Sequence, residues 1–270
     1  MKIVTWNVNS VRARLHVFDS WISKSSPDVI LMQEIKCQNH DFPLEYFEDL
    51  GYSCHIFGQK SYNGVAILAR CSVEDVKCGL PTFPNDRSAR YIEAVVDGKI
   101  RVASVYVPNG GLVVNADEYM YKLEFIRRLE AHIRALNRQD EAVLIGGDYN
   151  ITPDDFDVYN AKVWHERVCC STEERNAFGQ VLGAGYTDLL RQSFDSKTSY
   201  PKNRPFTWWD YRSAAFVNNY GLRIDHFLGN QRAENLVSDI YVDLYPRRMR
   251  RPSDHAPLVC ELRDVDADVQ

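Results

Sequence analysis

Asp28-Val29-Ile30-Leu31-Met32-Gln33-Glu34 is a mainly apolar stretch that ends in two polar residues. An apolar run of this length without alternation predicts a β-strand that is covered on both faces. Upstream, Lys2 to Trp6 alternates as a half-buried strand, and residues 10–22 carry apolar side chains at helical spacing. We therefore predict a strand, helix and strand at the start of the chain, with Ser10 as the helix cap.

The same order recurs in the middle of the chain. Residues 117–138 have apolar side chains along one face of a long helix, and Ala142 to Gly147 is a second apolar run. Asp97-Gly98 predicts a tight hairpin, and a short helix should end near Gly51. β-Branched and aromatic residues predict further strands at 53–57, 64–69, 91–96, 99–107, 206–211, 222–228, 240–244 and 255–262.

Some of these strands are joined by hairpins and others by helices, and they occur in both halves of the chain. Two mixed β-sheets packed together, with helices outside, fit that order best. We therefore predict an α/β fold of four layers, a four-layer α/β sandwich. No linker or repeat interrupts it, so we expect one domain over residues 1–262 and a polar tail over 263–270.

Composition favours a soluble, cytoplasmic protein. The chain has 270 residues, of which 45% are hydrophobic, so it can bury a sizeable core. No stretch approaches the ~18 consecutive apolar residues of a membrane span, and the first residues resemble a strand more than a signal sequence. The seven cysteines include no C-x-x-C pair, which favours reduced structural thiols. A redox switch or a soft-metal half-site at Cys169-Cys170 is the alternative.

The net charge of −5 argues against DNA binding by the whole surface, because phosphate binding needs concentrated Lys and Arg. The distribution of charge matters more than its sum. Arg247, Arg248, Arg250 and Arg251 crowd one short segment, which is either a phosphate contact or a solvated loop. A cluster of metal-binding carboxylates would also lower the net charge without repelling DNA once its cation is bound.

Polar side chains recur where the apolar strands stop. They are Asn7, Asn9, Glu34, Tyr106, Asn109, Asp148, Asn150, Asp225, Asp254 and His255. Taken singly, an Asp after a strand is usually a turn former or a cap, but so many strand ends could share one cleft. Oxygen donors without clustered Cys or a helical pair of His select Mg²⁺ or Mn²⁺ over Zn²⁺. The implied substrate is a phosphate ester.

Seven motifs carry a more specific resemblance. They are Trp6-Asn7-Val8-Asn9, Gln33-Glu34-Ile35-Lys36, Tyr106-Val107-Pro108-Asn109, Gly146-Gly147-Asp148-Tyr149-Asn150, Trp208-Trp209-Asp210-Tyr211-Arg212, Arg223-Ile224-Asp225-His226-Phe227-Leu228 and Ser253-Asp254-His255-Ala256-Pro257. In this order, and almost from end to end, the chain resembles the exonuclease III family of abasic-site endonucleases, a branch of the endonuclease/exonuclease/phosphatase superfamily.

The resemblance implies a magnesium-dependent DNA-repair nuclease, with Mn²⁺ as a possible substitute ion. Such an enzyme cleaves the backbone 5′ to an abasic site and leaves a 3′-hydroxyl and a 5′-deoxyribose phosphate. Some 3′-5′ exonuclease and 3′-phosphodiesterase activity is also implied. The expected partner is double-stranded DNA with abasic sites or 3′ ends, which the protein would meet as a monomer at the nucleoid.

The resemblance also implies the catalytic roles. Asp148 would be the general base that takes a proton from water, while the Asn150 amide orients that water. His255 would contact the phosphate, with Asp225 as the carboxylate partner that raises its pKa. The Tyr106 phenol would reach a phosphate oxygen or the leaving oxygen. Glu34 would be the principal metal ligand, in a site formed by Asn7, Glu34, Asp148, Asn150, Asp254 and His255.

Further positions would contact DNA. Trp208, Leu222 and Ile224 resemble the apolar wall against which the family packs an extruded baseless sugar, although ordinary core packing is the competing interpretation. The other expected backbone contacts are Asn109, Asn160 and Arg212. Two positions depart from the family pattern. Asn9 stands where some members carry an Asp, and Leu222 stands where others have a bulky aromatic.

Competing functions remain within and outside the superfamily. Nonspecific deoxyribonucleases and inositol phosphate phosphatases share several of these motifs, and a ribonuclease or deadenylase is a more distant alternative. Tyr106 argues against the phosphatases, which resemble one another in placing a histidine near that position. A DNA-binding module that has lost catalysis is the alternative from a different class, because fold alone does not prove function.

Overall fold

The computed structural model describes residues 1–114, 116–195 and 204–263. Apart from Arg263, the predicted polar tail at 263–270 lies outside these ranges. The helices are α1 (Val11–Ser25), α2 (Leu44–Asp49), α3 (Asp117–Leu136), α4 (Ala161–Trp164), α5 (Thr172–Leu182), α6 (Leu189–Asp195) and α7 (Gln231–Leu236). Within the described ranges, no helix has the length and apolar character needed to cross a bilayer.

The strands form two large sheets and one small ribbon. They are β1 (Lys2–Asn7), β2 (Val29–Gln33), β3 (Ser53–Phe57), β4 (Val65–Ala69), β5 (Val73–Cys78), β6 (Tyr91–Val96), β7 (Ile100–Tyr106), β8 (Ala142–Asp148), β9 (Tyr186–Asp188), β10 (Trp208–Trp209), β11 (Gly221–Leu222), β12 (Asp225–Asn230), β13 (Val237–Val242) and β14 (Leu258–Leu262). The first sheet has the order β13-β14-β1-β2-β4-β3, and the second has the order β5-β6-β7-β8-β12-β9.

Each sheet is built around one parallel pair. β1 and β2 are parallel and are connected through α1, and β7 and β8 are parallel and are connected through α3. The other strand pairs of both sheets are antiparallel. The repeated strand, helix and strand unit predicted from the sequence is therefore confirmed, and both sheets are mixed.

Side chains alternate between the two faces of each sheet, which produces four layers. Val29 and Leu31 face the opposite sheet, whereas Ile30 and Met32 pack under α1. In β8, Leu144 joins the layer between the sheets, and its neighbours on either side pack under α3. Every residue of β2 is buried, as the apolar run predicted. The predicted α/β sandwich of two mixed sheets flanked by helices is confirmed.

The two sheets approach each other closely near the ends of β1, β2 and β8. A Cβ added at Gly146 would lie 2.9 Å from Thr5 Cβ and 2.5 Å from a Phe227 ring carbon, so only glycine fits there. Gln33 Nε2 crosses the gap and donates to Ser104 Oγ at 2.9 Å. Polar contacts therefore join the sheets just below the ends of their central strands.

Three predicted strands are shorter than the sequence indicated. The stretch 206–211 is a strand only at Trp208–Trp209, 222–228 is interrupted after Leu222, and 255–262 begins at Leu258. Thr207 Oγ1 accepts from the backbone nitrogens of Ile224 and Asp225 at 3.1 Å, so a side chain replaces the strand partner there. Between residues 222 and 225 the chain leaves the β10–β11 ribbon and enters the second sheet.

Ser10 does not cap α1 with its side chain. Its φ is 80°, and its backbone nitrogen donates to the Glu34 carbonyl at 2.8 Å instead. The contact ties the start of α1 to the residue after β2. The Asp97-Gly98 turn is confirmed, because both residues have positive φ and Lys99 N donates to the Val96 carbonyl at 3.1 Å across them.

Candidate active site

The polar strand ends converge on one cleft of about 880 Å³. The ends of β1, β2, β7 and β8 meet there, together with the start of β12, which pairs Asp225 with Asp148. The predicted residues that line the cleft are Glu34, Tyr106, Asn109, Asp148, Asn150, Trp208, Arg212, Leu222, Ile224, Asp254 and His255. Asn7 lies buried beneath it, and Asp225 lies behind His255.

Asn7 bridges two carboxylates that belong to different sheets. Its amide nitrogen donates to Glu34 Oε1 at 2.8 Å and to Asp148 Oδ2 at 2.9 Å. Its amide oxygen accepts from the backbone nitrogen of Asn9 at 3.0 Å, so this fully buried side chain has a partner at each end. The spacing of the two acids therefore depends on one amide group.

His255 is held as a cation. Its Nδ1 lies 2.8 Å from Asp225 Oδ2, and its Nε2 lies 3.7 Å from Asp148 Oδ2. Burial alone would lower the pKa of His255, but the charges of Asp225 and Asp148 outweigh it and raise the pKa to about 10. The expected pairing of His255 with Asp225 is thus present in the structure.

Asp148 lies close to two other carboxylates, those of Asp225 and Glu34, and this environment changes its pKa. Burial raises its pKa to about 7, and the charges of Asp225 and Glu34 act in the same direction, against the cation of His255. The backbone nitrogen of Asn150 donates to Asp148 Oδ1 at 2.9 Å. An acid with its pKa near neutrality can accept a proton from water at physiological pH.

Asn150 has a left-handed backbone, with φ at 51°, a conformation that Asn tolerates better than most residues. Its amide nitrogen donates to the Val107 carbonyl at 3.0 Å, and its amide oxygen accepts from Asn109 Nδ2 at 3.1 Å. Burial, with the charges of Glu34 and Asp148, raises the pKa of Tyr106 well above its usual value. Its phenol therefore stays protonated and can donate.

A chain of contacts joins Glu34 to the opposite wall. Lys36 Nζ lies 2.7 Å from Glu34 Oε2 and donates to Asn9 Oδ1, also at 2.7 Å. Asn9 Nδ2 donates to Asp254 Oδ1 at 2.8 Å, and Trp208 Nε1 donates to Asp254 Oδ2 at 3.0 Å. An Asp at position 9 could not donate to Asp254, so the departure from the family pattern has a structural use.

The residues present fit a divalent cation. Ligand atoms of Glu34, Asp148 and His255 lie within 4.8 Å of one another. Carboxylate oxygens dominate this group, which suits a hard cation. Asp225 Oδ1 is buried without a hydrogen-bond partner among the described residues.

The apolar wall is present and is larger than predicted. Leu222 and Ile224 are buried, and Trp208 packs against them. Trp164 and Cys169 also pack in this cluster and line the cleft, although the sequence analysis did not place them in the site. Both belong to the segment before α5, whose position next to β11 depends on the fold and is not visible in the sequence.

Two expected DNA contacts lie differently from the rest. The Asn160 side chain accepts from Val163 N at 3.2 Å and caps α4, and it is not among the residues that line the cleft. Arg212 lies at the rim with 86% of its side chain exposed, and Asp210 pairs with it at 2.6 Å. Neither arrangement tests a contact with DNA, so both contacts stay predictions.

All seven cysteines are free. Burial raises the pKa of Cys169 to about 12 and that of Cys170 to about 11, so both thiols stay protonated and unreactive. Thr152 Oγ1 donates to Cys170 Sγ at 3.0 Å. The geometry favours the structural interpretation over the redox switch.

The fold and the site together define a metal-dependent phosphoesterase of the layered α/β type. A family model, described as the Endonuclease/Exonuclease/phosphatase family, matches residues 4–255. The chain belongs to this family and, within it, to the exonuclease III group.

Individual relatives agree with this assignment. Exodeoxyribonuclease III of Haemophilus influenzae is 35% identical, and the match covers 97% of this chain and all of that protein. A 3′ phosphatase from Neisseria, solved with a product DNA hairpin, superposes with a TM-score of 0.91 at 39% identity. An AP endonuclease from Archaeoglobus fulgidus has a TM-score of 0.89 at 35% identity. Both structures match 98% of this chain and all of their own.

Glu34→Gln keeps the shape of the side chain and removes its charge. We expect the affinity for Mn²⁺, measured by calorimetry, to fall by at least ~10–100-fold, the loss that follows removal of even an outer partner of a metal ligand. DNA binding in chelator should persist. Glu45→Gln, on the exposed surface of α2, is the control. Unchanged metal affinity in Glu34→Gln would exclude Glu34 as a ligand.

Asp225→Asn removes a charge that raises the pKa of both His255 and Asp148. Without it, both groups lose their protons at lower pH. Activity needs a protonated His255 and a deprotonated Asp148, so both limbs of the kcat/KM profile should move to lower pH. The maximum should fall on the order of 10²-fold. Asp225→Glu, which keeps the charge, is the control, and a profile that does not move in Asp225→Asn contradicts the assignment.

Proposed function

We propose that this protein hydrolyses the DNA backbone 5′ to abasic sites and leaves a 3′-hydroxyl and a 5′-deoxyribose phosphate. It is a DNA-repair nuclease, in keeping with relatives named exodeoxyribonuclease III and DNA repair nuclease APEX1. It also processes 3′ ends as an exonuclease and phosphodiesterase. We place it in the cytoplasm, where it acts as a monomer on double-stranded DNA.

The observation that carries this proposal is the position of the apolar wall. Trp208, Leu222 and Ile224 line the same cleft as the acids, and the Trp208 indole is bonded to Asp254. A nonspecific deoxyribonuclease needs no apolar wall beside its acids. An abasic site has no base to unstack, so its sugar is the group that leaves the helix most cheaply and fits such a wall.

Each catalytic residue has a separate role in the in-line hydrolysis. Asp148 takes a proton from the attacking water, and the Asn150 amide orients that water. The His255 cation donates to a nonbridging phosphate oxygen. The protonated phenol of Tyr106 donates to a phosphate oxygen or to the leaving oxygen. One deprotonated acid, one neutral amide and two protonated donors thus act on the water and the phosphate.

In this proposal Glu34 and Asp148, whose ligand atoms lie within 4.8 Å of each other, would hold the metal, with Asp254 as a further ligand. A divalent cation there would neutralise the charge that develops on the phosphate oxygens, and hard oxygen donors favour Mg²⁺, with Mn²⁺ as a substitute. Two of the expected ligands fit other roles better. A protonated His255 has no lone pair for a metal, and the amide nitrogen of Asn7 faces both carboxylates.

Arginines beside the cleft supply the charge for DNA. Arg248, Arg250 and Arg251 are exposed, and none has an ion pair within the described residues. Their segment precedes Ser253, whose hydroxyl donates to the Asn7 carbonyl at 2.7 Å, so it adjoins the acid cluster. Concentrated, unpaired arginines next to the site let a chain of net negative charge bind a phosphate backbone.

Trp208→Ala should lower kcat/KM on a duplex with one abasic site by about 10-fold, from the lost apolar contact alone. The ratio of kcat/KM on the abasic duplex to kcat/KM on an undamaged duplex should also decrease. Trp208→Phe is the matched control, because it keeps an aromatic ring in the wall and removes the hydrogen bond to Asp254. An unchanged ratio between the two duplexes in Trp208→Ala, with native circular dichroism, would show that selectivity comes from other residues.

Arg250→Ala should reduce the salt dependence of duplex binding. Each phosphate contact that is lost lowers the slope of log K against log salt by about 0.9, and Arg251→Ala should behave in the same way. Arg134→Ala is the control, since Arg134 lies on α3 and is paired with Glu130. Equal slopes in all three variants and the wild type would identify 247–251 as a solvated loop.

A further inference from the structure

A lysine lies completely buried behind the cleft. Lys122 is in the second turn of α3, and none of its side chain is exposed. Its ammonium donates to the carbonyl of Asn150 at 2.6 Å and to the carbonyl of Asn109 at 3.1 Å. Its third partner is the carboxylate of Glu174, with which it forms an ion pair. All three donor positions of the ammonium are therefore used.

Glu174 is also fully buried, and its carboxylate binds the loop that precedes α5. One carboxylate oxygen accepts from the backbone nitrogen of Cys169 at 2.9 Å, and the other accepts from Ser171 N at 3.0 Å and Ser171 Oγ at 2.7 Å. Cys169 lines the cleft and has a φ of 74°, which is uncommon for a residue other than glycine. The ion pair thus connects three cleft-lining loops that follow β7, follow β8 and precede α5.

Stability alone does not account for a charge at this position. Tyr119, Lys122, Ile126 and Leu129 follow one another at spacings of three and four along the buried face of α3. An apolar residue would continue that face, and burying two charges has a desolvation cost that a pair often does not recover. What the ion pair adds is a set of hydrogen bonds to the backbone of residues in the site.

We propose that Lys122, paired with Glu174, is a positioning residue that sets Asn150 and Asn109 for the reaction on phosphate. Asn150 has a left-handed backbone and its amide orients the attacking water, a role that rests on the proposed function. Lys122 anchors the carbonyl of that same residue. Asn109 is anchored in the same way, and its amide donates to Asn150. Loss of the ammonium lets both amides move, while Glu34, His255 and Trp208 keep hydrogen bonds that do not involve Lys122.

The test compares Lys122→Met with a neutral pair, Lys122→Met/Glu174→Gln. Both remove the donor to Asn150, but the neutral pair leaves no unpaired buried charge and should regain much of the lost melting temperature. We expect kcat to fall about 10- to 100-fold in both variants, because a displacement of about 1 Å can cost 10²-fold. KM and duplex binding in chelator should change by less than about threefold, since Asn109 is one of several expected contacts with the DNA backbone.

Arg101→Met is the stability control. Arg101 is 3% exposed and is paired with Glu93 and Glu141 at the start of β7, at the opposite end of the strand from Tyr106. Assayed below its melting temperature, it should keep the kcat of the wild type. Should Lys122→Met not fold, the neutral pair alone is compared with Arg101→Met, because it removes the same donor to Asn150 without leaving an unpaired buried charge.

The inference is overturned if the neutral pair regains kcat together with stability. It is equally overturned if the Lys122 variants keep kcat within about twofold, or lose no more kcat than Arg101→Met at equal stability. All variants are assayed on an abasic duplex and on a duplex with a 3′-phosphate. A wild type that acts only on the second substrate would contradict the abasic-site proposal, while the ratio of variant to wild type would still test Lys122.

Discussion

The hydrogen bonds from one amide group, that of Asn7, to Glu34 and Asp148 are the contacts on which the site depends. Glu34 follows a strand of the first sheet, and Asp148 ends a strand of the second. The amide can reach both only if the sheets meet at close range. Gly146 allows that approach, and the polar contact of Gln33 with Ser104 lies between the sheets. Packing of the two sheets thus sets the geometry of the acids.

The charges that gather around this bridge compensate one another in pairs. Asp225 and Asp148 keep His255 protonated, and the resulting cation opposes the rise in the pKa of Asp148. Several of the residues other than glycine that have a left-handed backbone lie around the site, among them Asn9, Glu34, Asn150 and Cys169. Such conformations persist only where the surrounding structure holds them, and they collect at functional sites. The ammonium of Lys122 and the carboxylate of Glu174 contribute to that support from behind.

The proposed choice of substrate rests on a different part of the cleft. A 3′ phosphatase and an AP endonuclease both superpose closely on this chain. A shared fold therefore does not separate these activities, and the groups beside the acids must do so. Here the wall includes Trp164 and Cys169 as well as Trp208, Leu222 and Ile224. The indole of Trp208 connects this wall to Asp254, so the shape of the pocket and the position of an acid are linked.

Local patterns in the sequence determined the elements and the chemistry of this protein. The apolar run at 29–33 became a fully buried strand, Asp97-Gly98 became a hairpin turn, and the polar residues at strand ends did meet in one cleft. Alternation, turn preference and the direction of parallel strands act over a few residues, so these features can be predicted from the chain itself.

Contacts between distant residues were decided by the tertiary structure alone. Arg223 pairs with Asp157 and Asp188, and not with its neighbour Asp225. The sequence pattern gave no indication that Lys122 lies on the buried, mainly apolar face of its helix. Its partner Glu174 is 52 residues away in the chain. A buried charge takes whichever partner the packing places within hydrogen-bond distance, because water is no longer there to solvate it. Which residue that is depends on how the layers pack, and only the folded chain contains that information.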